Sequence, residues 1–231
     1  MKTKREHICA KDGENGNALV YVLIAIVLFA ALGMTFMSQS RNDTTEELDD
    51  SRAELLATQM ISYAAQGKST LDQMSFSGTQ IGSFNFTKPG ESGYNTAPHI
   101  HKVYHPSGGG LLPSNIPTDA IAQVSSNPEP GWYMGRFNNV EWTPTTGTDI
   151  ILTAFQISKT VCEKINEKVL GTTTIPILAS SAKSYLVDAT LYAGSNVDFN
   201  TSACAACEGY MSLCVQDPSG IYAFYNVLLD R

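Results

Sequence analysis

Basic residues are scarce in this chain. Lysine and arginine together number 15 against 22 aspartates and glutamates, so the formal net charge is −7 at pH 7. The first seventeen residues hold four bases and three acids, which leaves a net charge of −8 for the rest. Proteins that bind nucleic acid need clustered lysine and arginine to neutralise phosphates. The composition therefore argues against nucleic acid as a partner.

Motifs for common catalytic and phosphate-binding sites are also absent from the sequence. It contains no G-x-S-x-G nucleophile turn and no G-x-x-x-x-G-K-[ST] phosphate loop. The acids at positions 46–50 fall on what we expect to be a solvated helix face. We therefore expect no enzymatic activity and no cofactor.

One long hydrophobic run is present, from position 18 to position 37. It carries no charge over twenty residues, and Gly33 and Thr35 are its only interruptions. As a helix it would span ~30 Å, the thickness of the hydrocarbon core of a bilayer. A secretory signal is usually shorter and ends in a small-residue cleavage site, which this run lacks. The sequence predicts a single transmembrane helix over 18–37.

The charges on either side of this run predict its orientation. Four bases precede it, whereas one base, Arg41, and five acids follow it within positions 41–50. Because basic residues stay on the cytoplasmic side of a membrane span, we expect a cytoplasmic N-terminus. Everything from position 38 onward is then outside the cytoplasm.

The helix is predicted to continue beyond the membrane. Positions 38–66 contain neither proline nor glycine, and Gly67 is suited to ending a helix as its C′ residue. Apolar residues recur at spacings of three, four and seven, which places them on one stripe of an otherwise polar helix: Leu48, Leu55, Leu56, Met60 and Tyr63. We therefore predict one long helix over 17–66, half in lipid and half packed on a domain.

The remaining sequence predicts a small α+β domain. Between 67 and 147, short aromatic or β-branched runs alternate with turn residues, and Asn138-Asn139 suits the tight turn of a hairpin. A second helix is predicted from an N-cap at Thr148 to a C′ residue at Gly171. Positions 220–229 are aromatic and apolar enough to form a core strand.

Five cysteines divide between the two sides of the membrane. Cys9 lies in the cytoplasmic leader, and the four outside it are expected to form two disulfides in an oxidising compartment: Cys162, Cys204, Cys207 and Cys214. Four cysteines allow three pairings. The inward face of the predicted second helix favours a bond from Cys162 into the 204–207 turn, with the remaining cysteine of that turn bonded to Cys214.

Two other uses of these cysteines were weighed. Cys204-Ala-Ala-Cys207 has the spacing of a redox motif, but no βαβ unit precedes it, in which such a motif usually opens a helix. A zinc site of four cysteines would favour two C-x-x-C knuckles, and the sequence has only one. Structural disulfides are therefore the favoured interpretation.

Three of the four histidines stand close together, at His99, His101 and His105. Alternate residues of a strand point to one face, so these imidazoles could share Zn²⁺ or Cu²⁺, with Glu91 completing the shell. The simpler interpretation is a solvated strand face that ends in a turn at Pro106. The sequence specifies no fourth ligand.

The N-terminal architecture resembles the type IV pilin and type II secretion pseudopilin superfamily. A short basic leader, a glycine, a hydrophobic half-helix and an amphipathic half-helix precede a small α/β head. The string GNALVYVL at 16–23 is similar to the G-x-A-L-x-x-V-L with which minor pilins and K-type minor pseudopilins often begin. Most pilins carry Glu at the fifth mature position, where this chain has Tyr21. K-type pseudopilins also lack that Glu, which fits a tip or initiating subunit.

This resemblance implies a processing step and a set of partners. A prepilin peptidase would cut between Gly16 and Asn17, and the mature chain would assemble with other pilin-like subunits through its N-terminal helix. A disulfide-tied C-terminal segment is similar to the one that many pilins have. An uncleaved single-pass anchor is the alternative.

Together these observations predict an α+β protein in three parts. They are a cytoplasmic leader over 1–16, a long helix over 17–66 packed on a small antiparallel sheet, and an exported head domain over 67–231 with a second helix. We expect a non-enzymatic subunit of a bacterial envelope filament or secretion machine, held in the inner membrane with a periplasmic head. The alternatives are a membrane-tethered domain that binds a ligand or metal through the His99 face, and a tethered thiol oxidoreductase.

Overall fold

The computed structural model describes residues 15–188 and 198–230. For most residues between 15 and 48 it describes the backbone but not the side chains. The chain divides into two compact units, Met1–Asp49 and Asp50–Arg231.

Helix α1 covers Asn15–Phe76, 62 residues in all. We predicted that the helix ends at Gly67, but it continues to Phe76. Gly67 instead lies where the helix approaches the sheet closely. A Cβ atom there would lie 3.3 Å from Met134 Cε and 3.5 Å from Leu228 Cδ1. Gly78, with a φ of +95°, instead carries the chain out of the helix.

The predicted transmembrane run belongs to the first unit. No helix in the described part of the chain is both long enough and apolar enough to cross a membrane. Most side chains of 18–37 lie outside the description, so the predicted span at these positions stays a prediction. Five apolar side chains of the run are described, and each is more than half exposed: Val22, Ile24, Ile26, Val27 and Leu28.

The second unit is built on a four-stranded antiparallel sheet in the order β1-β2-β4-β3. Its strands are β1 (Gly131–Arg136), β2 (Ile150–Ile157), β3 (Ser212–Gln216) and β4 (Tyr222–Leu229). The core strand expected over 220–229 is confirmed as β4. The prediction of a tight hairpin turn at Asn138-Asn139 is wrong, because β1 pairs with β2 across the longer connection 137–149.

The segment predicted to form the second helix, 148–171, instead contains strand β2 followed by a shorter helix. Every residue of β2 is buried, so apolar side chains occupy both faces of this central strand and do not alternate with polar ones. Helix α2 covers Lys159–Leu170, with Ser158 rather than Thr148 as its N-cap. Its predicted end at Gly171 is confirmed by a left-handed φ of 73°.

Short elements complete this unit. Helix α3 covers Ala182–Leu186, and single 3₁₀ turns lie at Ile81–Ser83, Thr118–Ala120 and Ala205–Cys207. Together with α1, α2, α3 and the sheet, they make an α+β domain.

The sheet separates two apolar clusters. On one face, α1 and α2 pack on the sheet through side chains such as Met60, Leu71 and Ile165. On the other face lie α3 and the 198–207 segment, with Phe199 fully buried there. Strand β4 alternates between the clusters as a pleated strand should, with Phe224 on the first side and Tyr225 on the second.

Two disulfides are present, as predicted, but their pairing differs from the favoured one. Cys162 bonds to Cys214, and Cys204 bonds to Cys207. The first bond ties α2 to β3, which pack against each other. Asn166, one turn along α2, strengthens the same junction, because its amide donates to Cys214 O at 2.8 Å and accepts from Cys214 N at 2.8 Å.

The two disulfides should contribute unequally to stability. The Cys162–Cys214 bond spans 52 residues and the Cys204–Cys207 bond only three. By loop entropy, replacing the first pair with serine should cost about 4 kcal/mol and replacing the second about 2 kcal/mol. Thermal unfolding of the two double variants under identical conditions measures the difference. Equal losses, or a larger loss for the short-range pair, would contradict this account.

Candidate functional site

The predicted cleavage site lies at the start of α1. Gly16 and Asn17 follow directly on its first residue, Asn15. Their side chains and the leader over 1–14 lie outside the described residues, so cleavage after Gly16 stays a prediction.

The three histidines do not lie on a strand. Residues 99–110, here called the histidine loop, form consecutive turns with one bridge, from Lys102 to Asn85. The rings of His99 and His105 stack in parallel, with centroids 4.1 Å apart and planes 8° apart. His101 instead places Nδ1 3.3 Å from Thr79 Oγ1. The loop therefore brings together two imidazoles and not three.

This arrangement does not form the predicted metal site. The lone pair of a ring nitrogen lies in the plane of its ring, so two parallel rings do not direct lone pairs at one point. Among the described residues, no group of three or more His, Cys, Asp or Glu side chains is placed to hold a metal ion. Glu91, the acid expected to complete the shell, accepts a hydrogen bond from Lys88 N at 2.7 Å.

The His105 ring is held in its neutral form. Partial burial, the neighbouring His99 and the positive charge of Lys102 lower the pKa of His105. Ser107 N donates to His105 Nδ1 at 3.1 Å, so Nδ1 accepts and carries no proton. The ring proton of the neutral form is therefore on Nε2.

A cation does organise this part of the chain, and it is the ammonium of Lys102. Only 3 % of this residue is exposed. Its Nζ donates to Gly93 O at 2.5 Å, to Tyr94 O at 2.7 Å and to Thr96 O. An ammonium group has three N–H donors, and each has a carbonyl acceptor here. Lys102 thus binds the preceding 93–96 segment to the histidine loop.

Sequence reasoning missed Lys102 because a single lysine gives no spacing signal. The nearest sequence clue is its position between His101 and the apolar pair Val103-Tyr104. Lysine is almost never fully buried unless it is paired. Only the structure shows that backbone carbonyls supply the pairing.

Two glycines let the loop fold tightly around this centre. A Cβ atom at Gly108 would lie 2.3 Å from Lys102 O, and one at Gly109 would lie 2.5 Å from Val103 O. The loop then closes against the end of α1, next to Met74. Between them lies a cleft of about 360 Å³ whose lining includes Gln73, Thr79, Ile100 and His101.

The Cys204–Cys207 pair lacks the setting of a redox centre. Both cysteines are buried, and the turn that contains them, Ala205–Cys207, is a single 3₁₀ turn. A reactive thiolate is usually accessible and stabilised at the start of a helix. This pair therefore closes a compact turn in the second apolar cluster.

Comparisons with known proteins give no match: no family model, no curated protein and no solved structure is similar to this chain.

Removing the Lys102 ammonium should loosen the loop. Lys102→Met would leave three inward-facing carbonyls without a donor, at a cost of about 3 kcal/mol. Lys68 is a matched control, because its Nζ also donates to a backbone carbonyl, Leu228 O, while about half of its side chain is exposed. Lys68→Met should cost less than about 1 kcal/mol. Chemical denaturation of both variants measures the two losses, and similar values would show that Lys102 has no special role.

Proposed function

We propose that this chain is a pilin-like, non-enzymatic subunit of a bacterial envelope filament or secretion machine. The observation that carries the proposal is the composition of α1. Over 18–37 the helix is uncharged and apolar. From Ala53 to Met74 the same helix supplies the core of a small α+β domain. A helix with these two parts is what the resemblance to pilins implies.

The exposed apolar side chains of the first unit support a role in the membrane or in assembly. Val22, Ile26 and Leu28 are each more than half exposed. A run of exposed aliphatic residues on a helix is unfavourable in water, at roughly 1.5–3 kcal/mol for each large side chain. Lipid, or the matching helices of other pilin-like subunits, would cover them. Small residues such as Gly33 allow such helices to approach closely.

The disulfides support a periplasmic location for the domain. All four cysteines of the second unit are paired, two of them across 52 residues. Such bonds form and persist in oxidising compartments, and a bacterial periplasm is one. The basic leader and the acidic positions after the run predict the same orientation.

The competing proposal of a tethered metal-binding domain has weaker support. It needs three imidazoles on one face, and the loop brings only His99 and His105 together. The positive charge that such a site would hold is already present as Lys102. We therefore favour assembly through the N-terminal helix.

Processing by a prepilin peptidase tests this proposal. Co-expression with an active peptidase should remove residues 1–16 and leave Asn17 as the amino terminus, which intact mass measurement of the membrane-extracted protein detects. Gly16→Leu should block the cut. Gly13→Leu is the matched control, because it alters the other glycine of the leader and should leave processing unchanged.

Two results would contradict the proposal. One is retention of residues 1–16 in cells whose peptidase processes a known prepilin. The other is a mass that corresponds to cleavage elsewhere in the chain. An inactive peptidase provides the unprocessed reference mass.

A further inference from the structure

The stacked pair in the histidine loop lies near a buried positive charge. His99 and His105 lie with ring centroids 4.1 Å apart, and the Tyr94 ring lies 5.1 Å from His105. Besides burial, the groups that lower the pKa of His105 are the neighbouring His99 and the buried ammonium of Lys102. Each of them disfavours a proton on His105.

Within residues 50–188 and 198–230, no carboxylate is recorded as acting on His105. The acid of the neighbouring turn, Glu91, accepts from Lys88 N and acts on the Lys88 ammonium and the Tyr104 phenol. From α1, the atoms that meet the loop at Gly109 belong to Met74 and Thr70, which are uncharged. A proton added to the stack therefore finds no acidic partner among the described groups that face it.

The hydrogen bond of the His105 ring also requires its neutral form. His105 Nδ1 accepts from Ser107 N, so a proton at Nδ1 would break this bond. The ammonium of Lys102 would also repel a charged His105 ring.

We propose that the His99–His105 stack is an acid-sensitive latch, closed while the His105 ring is neutral and opened when that ring is protonated. Opening releases the 105–110 part of the loop from the end of α1. Since Ser107, Gly108 and Gly109 line the cleft there, the cleft widens as the latch opens. The latch is a property of the second unit and does not depend on the proposed role in assembly.

The direction of the pH effect follows from proton binding. The closed loop binds a proton on His105 more weakly than an open loop would, because the pKa of His105 is lowered in the closed form. Closure is therefore fully favoured above the ordinary histidine pKa of about 6.5. It is lost progressively as the pH falls below that value.

Four backbone hydrogen bonds report whether the loop is closed. Gly108 N and Gly110 N donate to His105 O, while Gly109 N donates to Lys102 O and Leu111 N to Val103 O. Amides in such bonds exchange slowly with solvent while the bonds persist. Hydrogen–deuterium exchange of this segment therefore measures latch opening.

The experiment uses the full chain in detergent micelles at pH 7.5 and pH 5.0, with exchange corrected for the intrinsic pH dependence. Wild-type protection over 105–111 should fall by about tenfold or more at the lower pH. His105→Phe retains a stacking ring that cannot be protonated, so its protection should change little between the two values. His101→Phe is the matched control, because His101 lies outside the stack and its variant should respond as the wild type does.

Two outcomes would overturn the latch. One is equal wild-type protection at both pH values. The other is a loss of protection in His105→Phe as large as in the wild type. If that variant does not fold, His105→Gln makes the same test, because a glutamine side chain cannot be protonated in this pH range either. Loss of the pH response in His101→Phe alone would also overturn the proposal, since it would assign the effect to the wrong histidine.

Discussion

The packing of α1 against the sheet is the contact around which the domain is arranged, and Gly67 lies at its centre. A Cβ atom here would lie 3.3 Å from Met134 Cε, so glycine lets the helix lie against β1 and β4 without displacing that side chain. With α1 on that face, α2 packs beside it. Lys164 of α2 reaches Asp50 of α1 at 2.9 Å, but such surface pairs contribute little each. The buried side chains and the Cys162–Cys214 bond therefore contribute more than this ion pair to holding the helices against the sheet.

The same contact shows which parts of the fold sequence reasoning could reach. The glycine that ends α2 has a local physical cause, and that prediction is confirmed. The apolar stripe on α1 is confirmed at Leu56, Met60 and Tyr63. It is wrong at Leu55, which is 58 % exposed, and the Leu48 side chain lies outside the described residues. Gly67 has the same local signature as a helix stop, and only the tertiary contact distinguishes the two uses. Strand β2 was assigned to a helix because burial of both faces removes the alternation that identifies a strand. The disulfide pairing has a different cause. Cys162 does lie on the buried face of the second helix, as predicted, but its partner on that face is Cys214 of β3.

The histidine loop shows a similar limit for the site. The sequence left two uses of the three imidazoles open, a shared metal ion and a solvated strand face. The structure shows a loop in which only His99 and His105 lie together. The structure places a covalently attached cation, Lys102, among three backbone carbonyls. Because this ammonium is part of the chain, the three carbonyls are paired without a metal ion from solution. Its positive charge also contributes to lowering the pKa of His105.

The two units of the chain differ in what they need from their surroundings. Two buried amides of the second unit are paired within it: Asn166 bonds to Cys214, and Gln156 bonds to the backbone of Ser125. Its two disulfides add stability that does not depend on other molecules. The first unit exposes aliphatic side chains on a helix, which gain free energy only when lipid or another helix covers them. This difference is why the proposed function places every assembly contact on the N-terminal part of α1.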